Sequence, residues 1–222
     1  MSVILAALVD FIYPKRCVAC DKEGAFLCDL CLVSLKKAEL ICPECMKPSL
    51  DGWTHPRCKK KRSLDGIIST YSYRDPKVRK SVEAIKFGFN KELIRLMMGE
   101  SILAGSFDYY VPVPLHRRRL NWRGFNQAEE IALMLPQTGK LVRWLARSRN
   151  TKQQARIKNK EERKKNVNGA FEIDSRVQRS ELRRKRILLV DDVFTTGESM
   201  KECCRVLKRV GAHEVWGFVL AH

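Results

Sequence analysis

The chain has 222 residues, with 43 Lys and Arg against 25 Asp and Glu, so its formal net charge is +18. With 45% hydrophobic and 31% charged residues, it has the balance of a globular protein with a real core, which argues against disorder and against a membrane-embedded fold. That length holds one large domain, or an ordinary domain plus a small one. The positive field suits polyphosphates, nucleic acid or acidic surfaces, or else a solvated basic face without a specific partner.

The opening "MSVILAALVDFIYP" is apolar but too short to span a bilayer. It lacks the basic start and the small-residue cleavage site of a secretion signal. Its pattern predicts a short helix ending before Pro14, either packed or lying at an interface. Seven of the nine cysteines then precede residue 59 in repeated CxxC pairs, the pattern of metal binding in a reducing, cytoplasmic setting rather than of a disulfide scaffold.

The pairs are Cys17/Cys20, Cys28/Cys31 and Cys42/Cys45, followed by His55/Cys58 in "HPRC". A knuckle that separates two ligands by two residues turns both into one tetrahedral site. Taken sequentially, Cys17, Cys20, Cys28 and Cys31 make an all-cysteine zinc site, with "CDLCLVSLKK" opening a short helix. Cys42, Cys45, His55 and Cys58 then make a second site of three cysteines and one histidine. An interleaved pairing satisfies the same spacings, and His55 in "WTHP" also fits an exposed loop, which would leave one zinc instead of two. Sites whose four positions are all protein ligands are structural. In a segment with few large apolar side chains, the metal would supply much of the folding energy.

The texture changes at "KKKRSLDG", so residues 1–62 are expected to form the zinc-binding module and 63–222 a second domain. There "IISTYSY" (67–73) predicts a strand, and "VRKSVEAIKFGFNKELIRLMMGE" a helix interrupted at Gly88. "FDYYVPVPL" (107–115) predicts a strand running into a loop, since proline is poorly tolerated inside a sheet. A helix in "NQAEEIALML" and a short strand in "KLVRWLAR" follow. Residues 147–168 are polar and basic without clear periodicity. Across 140–165, eleven Lys and Arg stand against two Glu, a net +9 and half the total charge. "ILLV" (187–190) is the aliphatic run of a strand buried on both faces. "ESMKECCRVLKRVG" puts Met200, Cys203, Leu207 and Val210 on one helical face, with Gly211 as C-cap and Cys203 and Cys204 as core residues. "EVWGFVL" supplies a last strand. Strands alternating with helices predict an α/β fold with a parallel sheet.

The chemistry concentrates in "ILLVDDVFTTGES", read as strand, turn and helix start. Free backbone N–H groups and the helix dipole make a bowl for a monophosphate. Thr195, Thr196 and Ser199 add hydroxyls, Gly197 permits the turn, and Glu198 begins the helix. Asp191 and Asp192 would repel a phosphate but suit two neighbouring sugar hydroxyls, so the combination asks for a sugar carrying both a diol and a phosphate.

"LLVDDVFTTG" resembles the phosphoribosyl-pyrophosphate signature of type I phosphoribosyltransferases. Together with the cysteine pairs, "VPVPLHRRRLNWRGFNQAEEIA" and "ERKKNVNGAF", it resembles the ComF family of competence-associated phosphoribosyltransferase-like proteins over nearly the whole chain. The resemblance implies a type I phosphoribosyltransferase-like parallel-sheet domain behind a small zinc module. It also implies that Asp191 and Asp192 contact the ribose hydroxyls and that residues 195–199 hold the 5′-phosphate. Leu115, His116 and Arg117 would form the pyrophosphate loop, where cations stabilise the leaving group. Arg123, Gly124, Asn126 and Gln127 face that cleft, or else Asn126 and Gln127 cap the next helix. The basic stretch, with Gln154, Arg163 and Asn166, would be a loop closing over the site, or a tract for a DNA backbone. Mg²⁺ would ride on the pyrophosphate. Two functions follow from the resemblance: a phosphoribosyltransferase with an unspecified acceptor, linked to natural transformation, or a non-catalytic adaptor for single-stranded DNA and DNA-uptake proteins that retains the pocket.

Overall fold

The computed structural model describes residues 14–87, 91–99, 105–136, 138–149 and 160–222. In chain order these form α1 (Asp29–Val33), β1 (Gly66–Tyr71), α2 (Pro76–Phe87), α3 (Lys91–Met98), β2 (Tyr109–Pro112), α4 (Arg117–Arg123), α5 (Gln127–Met134), β3 (Lys140–Leu141) and β4 (Leu145–Arg147). Then come α6 (Lys160–Val167), β5 (Phe171–Ile173), α7 (Arg179–Leu182), β6 (Arg186–Val193), α8 (Glu198–Val210) and β7 (Glu214–Ala221). Five strands pair in parallel in the order β1-β7-β6-β2-β3, while β4 and β5 make a separate antiparallel pair. Among the described residues no helix is long and apolar enough to cross a membrane.

Strand β6 lies inside the sheet, and its period of two divides the core. Leu188 and Val190 join a layer with Val82 and Ile85 of α2, Leu93 and Met97 of α3 and Ile131 of α5. Ile187 and Leu189 face the other way, onto Met200, Cys203 and Leu207 of α8. All four residues of "ILLV" are fully buried, which is why the run is unbroken rather than alternating. The cysteine-rich segment packs on both layers: Cys17, Leu27, Cys31 and Leu35 on the first, and Ile41 on the second, where Leu64 just after the segment joins it. Gly211 ends α8 in the left-handed region at φ 118°, its N–H bonded to carbonyls of the last turn.

Several sequence expectations are refined. Residues 78–100 hold two helices, α2 and α3, with Gly88 and its neighbours outside the described residues. The opening helix over 1–13 also falls outside them. "KLVRWLAR" divides between two sheets: β3 extends the parallel edge beside β2, and β4 pairs with β5. Trp144 sits at the break, its ring 4.4 Å from that of Tyr109. The basic stretch ends in α6, which has no amphipathic pattern to announce it. Tertiary contacts hold it instead: Val167 and Ala170 are buried, and Gly169 N–H donates to the Glu202 carboxylate of α8 at 3.0 Å.

Helix α8 is fastened to the chain that leads out of the cysteine-rich segment. Asp65, which is buried, accepts from Lys208 Nζ at 2.6 Å and from Val215 N–H at 2.7 Å, and pairs with Lys59 Nζ at 2.6 Å. Burial pushes the Asp65 carboxyl up, but Lys208, Lys59 and the Val215 amide outweigh it and hold it below the usual carboxylate value. Asp65→Ala would strand two lysines and an amide, and is expected to cost about 3–5 kcal/mol in urea unfolding at pH 7. The folded value is depressed, so this contribution is present above the unfolded carboxylate value. It is lost as pH falls through the folded one, and the gap between wild type and variant should shrink in acid.

Candidate functional site

From β2 the sheet grows outward to β3, and from β6 it grows the other way, to β7 and β1. Between the carboxyl ends of β2 and β6 the strand order reverses, and a crevice opens there. It encloses about 230 Å³. One wall is Val113, Pro114 and Leu115 after β2; the floor is the run Asp191–Met200, from the end of β6 into the start of α8. Lys86 and Phe87 at the end of α2, Arg119 and Arg123 of α4, Asn126 and Gln127 at the start of α5, and Arg147 of β4 also line it, with Tyr73, Glu83 and Ala128 beside them. All seven residues Asp191, Asp192, Thr195, Thr196, Gly197, Glu198 and Ser199 therefore share one cleft.

Gly197 begins α8 at φ 71°, in the left-handed region that favours glycine. A Cβ there would lie 2.0 Å from a carbon of the Phe194 ring, so both conformation and space exclude a side chain. Among the described residues no side chain caps this helix start, so the first turn of α8, itself part of the cleft floor, has amides without an acceptor of that kind. Asp192 donates its backbone N–H to Asp191 Oδ1 at 2.9 Å, and its carboxylate pairs with Lys86 at 3.3 Å. Burial, and then the charge of Asp192, push the Asp191 carboxyl up to about 7.

The cations facing the acidic pair come from a different place than the loop at Leu115, His116 and Arg117. Leu115 lines the cleft. His116, however, is the N-cap of α4, its Nδ1 accepting from Arg118 N–H at 3.3 Å, and Arg117 is exposed. One and two turns along, Arg119 and Arg123 share the helix face that turns inward. Arg147 arrives from β4, its guanidinium 5.0 Å above the Phe171 ring. Sequence reading named Arg123 but missed Arg119 and Arg147; the four-residue spacing from Arg119 to Arg123 was the available signal. Burial lowers Arg119 to about 10, with the charges of Arg147 and Arg123 adding to the effect.

Arg123 donates from Nη1 to Gln127 Oε1 at 3.1 Å. Its Nε and the Gln127 Nε2 are buried donors with no partner among the described residues, the condition of a polar site built for a guest. Asn126 combines the two alternative placements, helix cap and cleft lining. Its Oδ1 accepts from Ala128 N–H at 3.2 Å, capping α5, its Nδ2 donates to the Val113 carbonyl at 3.1 Å, and the residue lines the cleft. Gly124 closes α4 at φ 72°. Asn166 sits on α6, outside the cleft lining. Arg163 lies within α6, but its side chain, like the whole of Gln154, lies outside the described residues.

The cysteine pairs converge sequentially. The ligand atoms of Cys17, Cys20, Cys28 and Cys31 lie within 4.8 Å of one another, as do those of Cys42, Cys45, His55 and Cys58. Tetrahedral zinc at about 2.3 Å from sulfur requires sulfurs about 3.8 Å apart, and Cys20 Sγ to Cys28 Sγ is 3.8 Å. Cys45 Sγ to His55 Nδ1 is 3.4 Å, close to the edge of about 3.5 Å expected for mixed ligands. His55 Nε2 lies 3.0 Å from the Pro48 carbonyl, the outer-shell bond that frees Nδ1 for a metal. Backbone N–H groups of Cys28 and His55 point at the sulfurs of Cys17 and Cys42, at 3.5 and 3.4 Å. Both donor sets fit zinc, as closed sites without an open position.

A parallel sheet with an acidic pair and a glycine turn at its switch point defines a phosphoribosyltransferase-type domain. Residues 123–221 match the phosphoribosyl transferase domain family. The chain is 30% identical to DNA utilization protein YhgH of Escherichia coli strain K12, over 91% of this chain and 96% of that protein. It is 28% identical to competence protein ComFC of Bacillus subtilis, over 90% and 85% of the two chains, and 34% identical to competence protein F of Haemophilus influenzae over 50% and 49%. It belongs to the ComF family of phosphoribosyltransferase-like proteins.

Proposed function

We propose that the cleft binds phosphoribosyl pyrophosphate with Mg²⁺ and that the protein works in the handling of DNA during its uptake, in the cytoplasm. The observation that carries the first part is the meeting of the acidic pair with the uncapped turn at Gly197. Asp191 and Asp192 accept hydrogen bonds from the ribose hydroxyls. The amides and hydroxyls of Thr195, Thr196 and Ser199 hold the 5′-phosphate at the positive end of α8. Arg119, Arg123 and Arg147, with Leu115 at the loop, receive the pyrophosphate, whose charge grows as its bond to the anomeric carbon breaks. Mg²⁺ supplies further charge neutralisation on the pyrophosphate oxygens. In transfer, an acceptor's lone pair forms the new bond to the anomeric carbon and pyrophosphate leaves. Residues 1–62 act as a metal-stabilised module attached to the domain of 63–222. The names of the relatives, DNA utilization and competence proteins, support the DNA-handling part.

Calorimetric titration of phosphoribosyl pyrophosphate with Mg²⁺ tests the pocket. Saturable one-site binding is expected, competed by ribose 5-phosphate, and heat indistinguishable from dilution would reject it.

A further inference from the structure

Helix α4 has a second face that the cleft does not use. Arg119 and Arg123 turn inward. Arg118 and Trp122, also four residues apart and so side by side, turn to solvent, with Arg117 and Leu120 exposed beside them. Trp122 is 57% exposed and Phe87 is 50% exposed, unusual values for the two largest apolar side-chain types on a protein surface. Their rings meet edge to face, with centroids 6.1 Å apart. Phe87 also lines the cleft and carries Arg123 at 5.8 Å from its ring. The result is a continuous path: a solvent-facing indole, a second aromatic ring at the mouth, and the acidic pair and phosphate turn inside.

We propose that Trp122 and Phe87 form a base-stacking platform for a single-stranded polynucleotide, with Arg117 and Arg118 on its phosphates. Indole and phenyl faces accept any planar base, and stacking of this kind is the usual way to hold strands without reading sequence. A free base would need the rings but not the exposed arginines; a strand needs both. A duplex hides its base faces and cannot use the rings. The chain's charge of +18 supplies the long-range attraction. Residues on this platform place a base at the open side of the cleft, where an acceptor would approach. The assignment rests on the DNA-handling reading; it shares Phe87 with the cleft but does not require phosphoribosyl pyrophosphate to bind there.

The test is fluorescence anisotropy of a labelled oligothymidylate against a salt series, on wild type, Trp122→Ala and Arg118→Gln. Trp122→Ala is expected to weaken binding about 5- to 100-fold, the range of one lost stack, with the salt slope unchanged. Arg118→Gln is expected to reduce the slope by about 0.7, the signature of a single phosphate contact on a single strand. Trp122 lies outside the cleft lining, so Trp122→Ala should retain the titration of phosphoribosyl pyrophosphate, which also reports that it is folded. Unchanged affinity in Trp122→Ala, or duplex binding as tight as single strand, overturns the platform. Failure of wild type to bind phosphoribosyl pyrophosphate while the oligonucleotide results hold would remove the donor reading and leave the platform standing.

Discussion

Replacing Asp191 and Asp192 together by asparagine is expected to abolish measurable binding of phosphoribosyl pyrophosphate while making the ligand-free protein more stable. The binding loss follows from charge-assisted hydrogen bonds to two ribose hydroxyls, worth about 1.5–3 kcal/mol each, so roughly two to four orders of magnitude in affinity. The stabilisation follows from the same burial that makes the site. Asp191 is pushed up to about 7, first by burial and then by Asp192, so the folded chain keeps a proton that the unfolded chain has already released. Stability therefore falls as pH climbs from the ordinary carboxylate value toward 7, and the loss is complete above it. Asparagine removes that loss. The position near 7 already includes the pull of Lys86, and the variant also gives up the Lys86–Asp192 pair. At about 1.4 kcal/mol per pH unit, we therefore expect a net gain of about 1–3 kcal/mol at pH 8, or several degrees in melting temperature. The difference between variant and wild type should close at pH 4. Thermal melts across that range read the stability, and the calorimetric titration reads the binding. Equal binding by wild type and variant would reject the ribose assignment.

Stripping zinc with a strong chelator under reducing conditions should have the largest effect on stability. Cys17 and Cys31 are buried in the same cluster as Tyr71, Val78 and Val82, and Cys42 is fully buried beside Ile41. Opening the first site would expose an edge of one core layer and opening the second an edge of the other, and each would leave its ligand atoms crowded within 4.8 Å of one another with nothing to bind. Structural zinc contributes about 10–16 kcal/mol to small fingers; losing even about 5 kcal/mol here would lower the melting temperature by about 10–20 °C. Elemental analysis of the purified protein should find two zinc ions per chain, and His55→Ala should reduce that to one. Retention of two zincs in that variant would exclude His55 as a ligand.

Much of this was legible in one dimension because the responsible interactions are local. A CxxC knuckle, a strand buried on both faces and the "DDVFTTG" turn each place their side chains through the geometry of a few neighbouring residues. Asp191, Asp192 and residues 195–199 all arrive in the cleft because one strand end and one helix start carry them. The basic side of the cleft was not legible in the same way. Arg147 reaches it from a strand that, among the described residues, pairs with β5 alone, 24 or more residues later, and its position is set by Trp144 packing on Tyr109. His116 was drawn away from the cleft because a residue preceding a helix is claimed by that helix's free amides. The sequence of α6 offers no apolar stripe, and its placement depends on Val167, Ala170 and the bond from Gly169 to Glu202 rather than on periodicity.

The start of α8 has a consequence for how this domain moves. Helix α4 closes its first turn with His116 and α5 with Asn126, whereas α8 begins on a bare glycine. The missing acceptor is one that a phosphate ester would supply, so a bound guest would finish a piece of secondary structure that the polypeptide leaves incomplete. Ligand affinity and local folding free energy then become the same quantity, measured from two directions. Amide protons of residues 198–200 are expected to exchange quickly with deuterium in the free protein and slowly once ribose 5-phosphate is bound. The rest of α8, anchored at Lys208 by Asp65, should exchange at an unchanged rate.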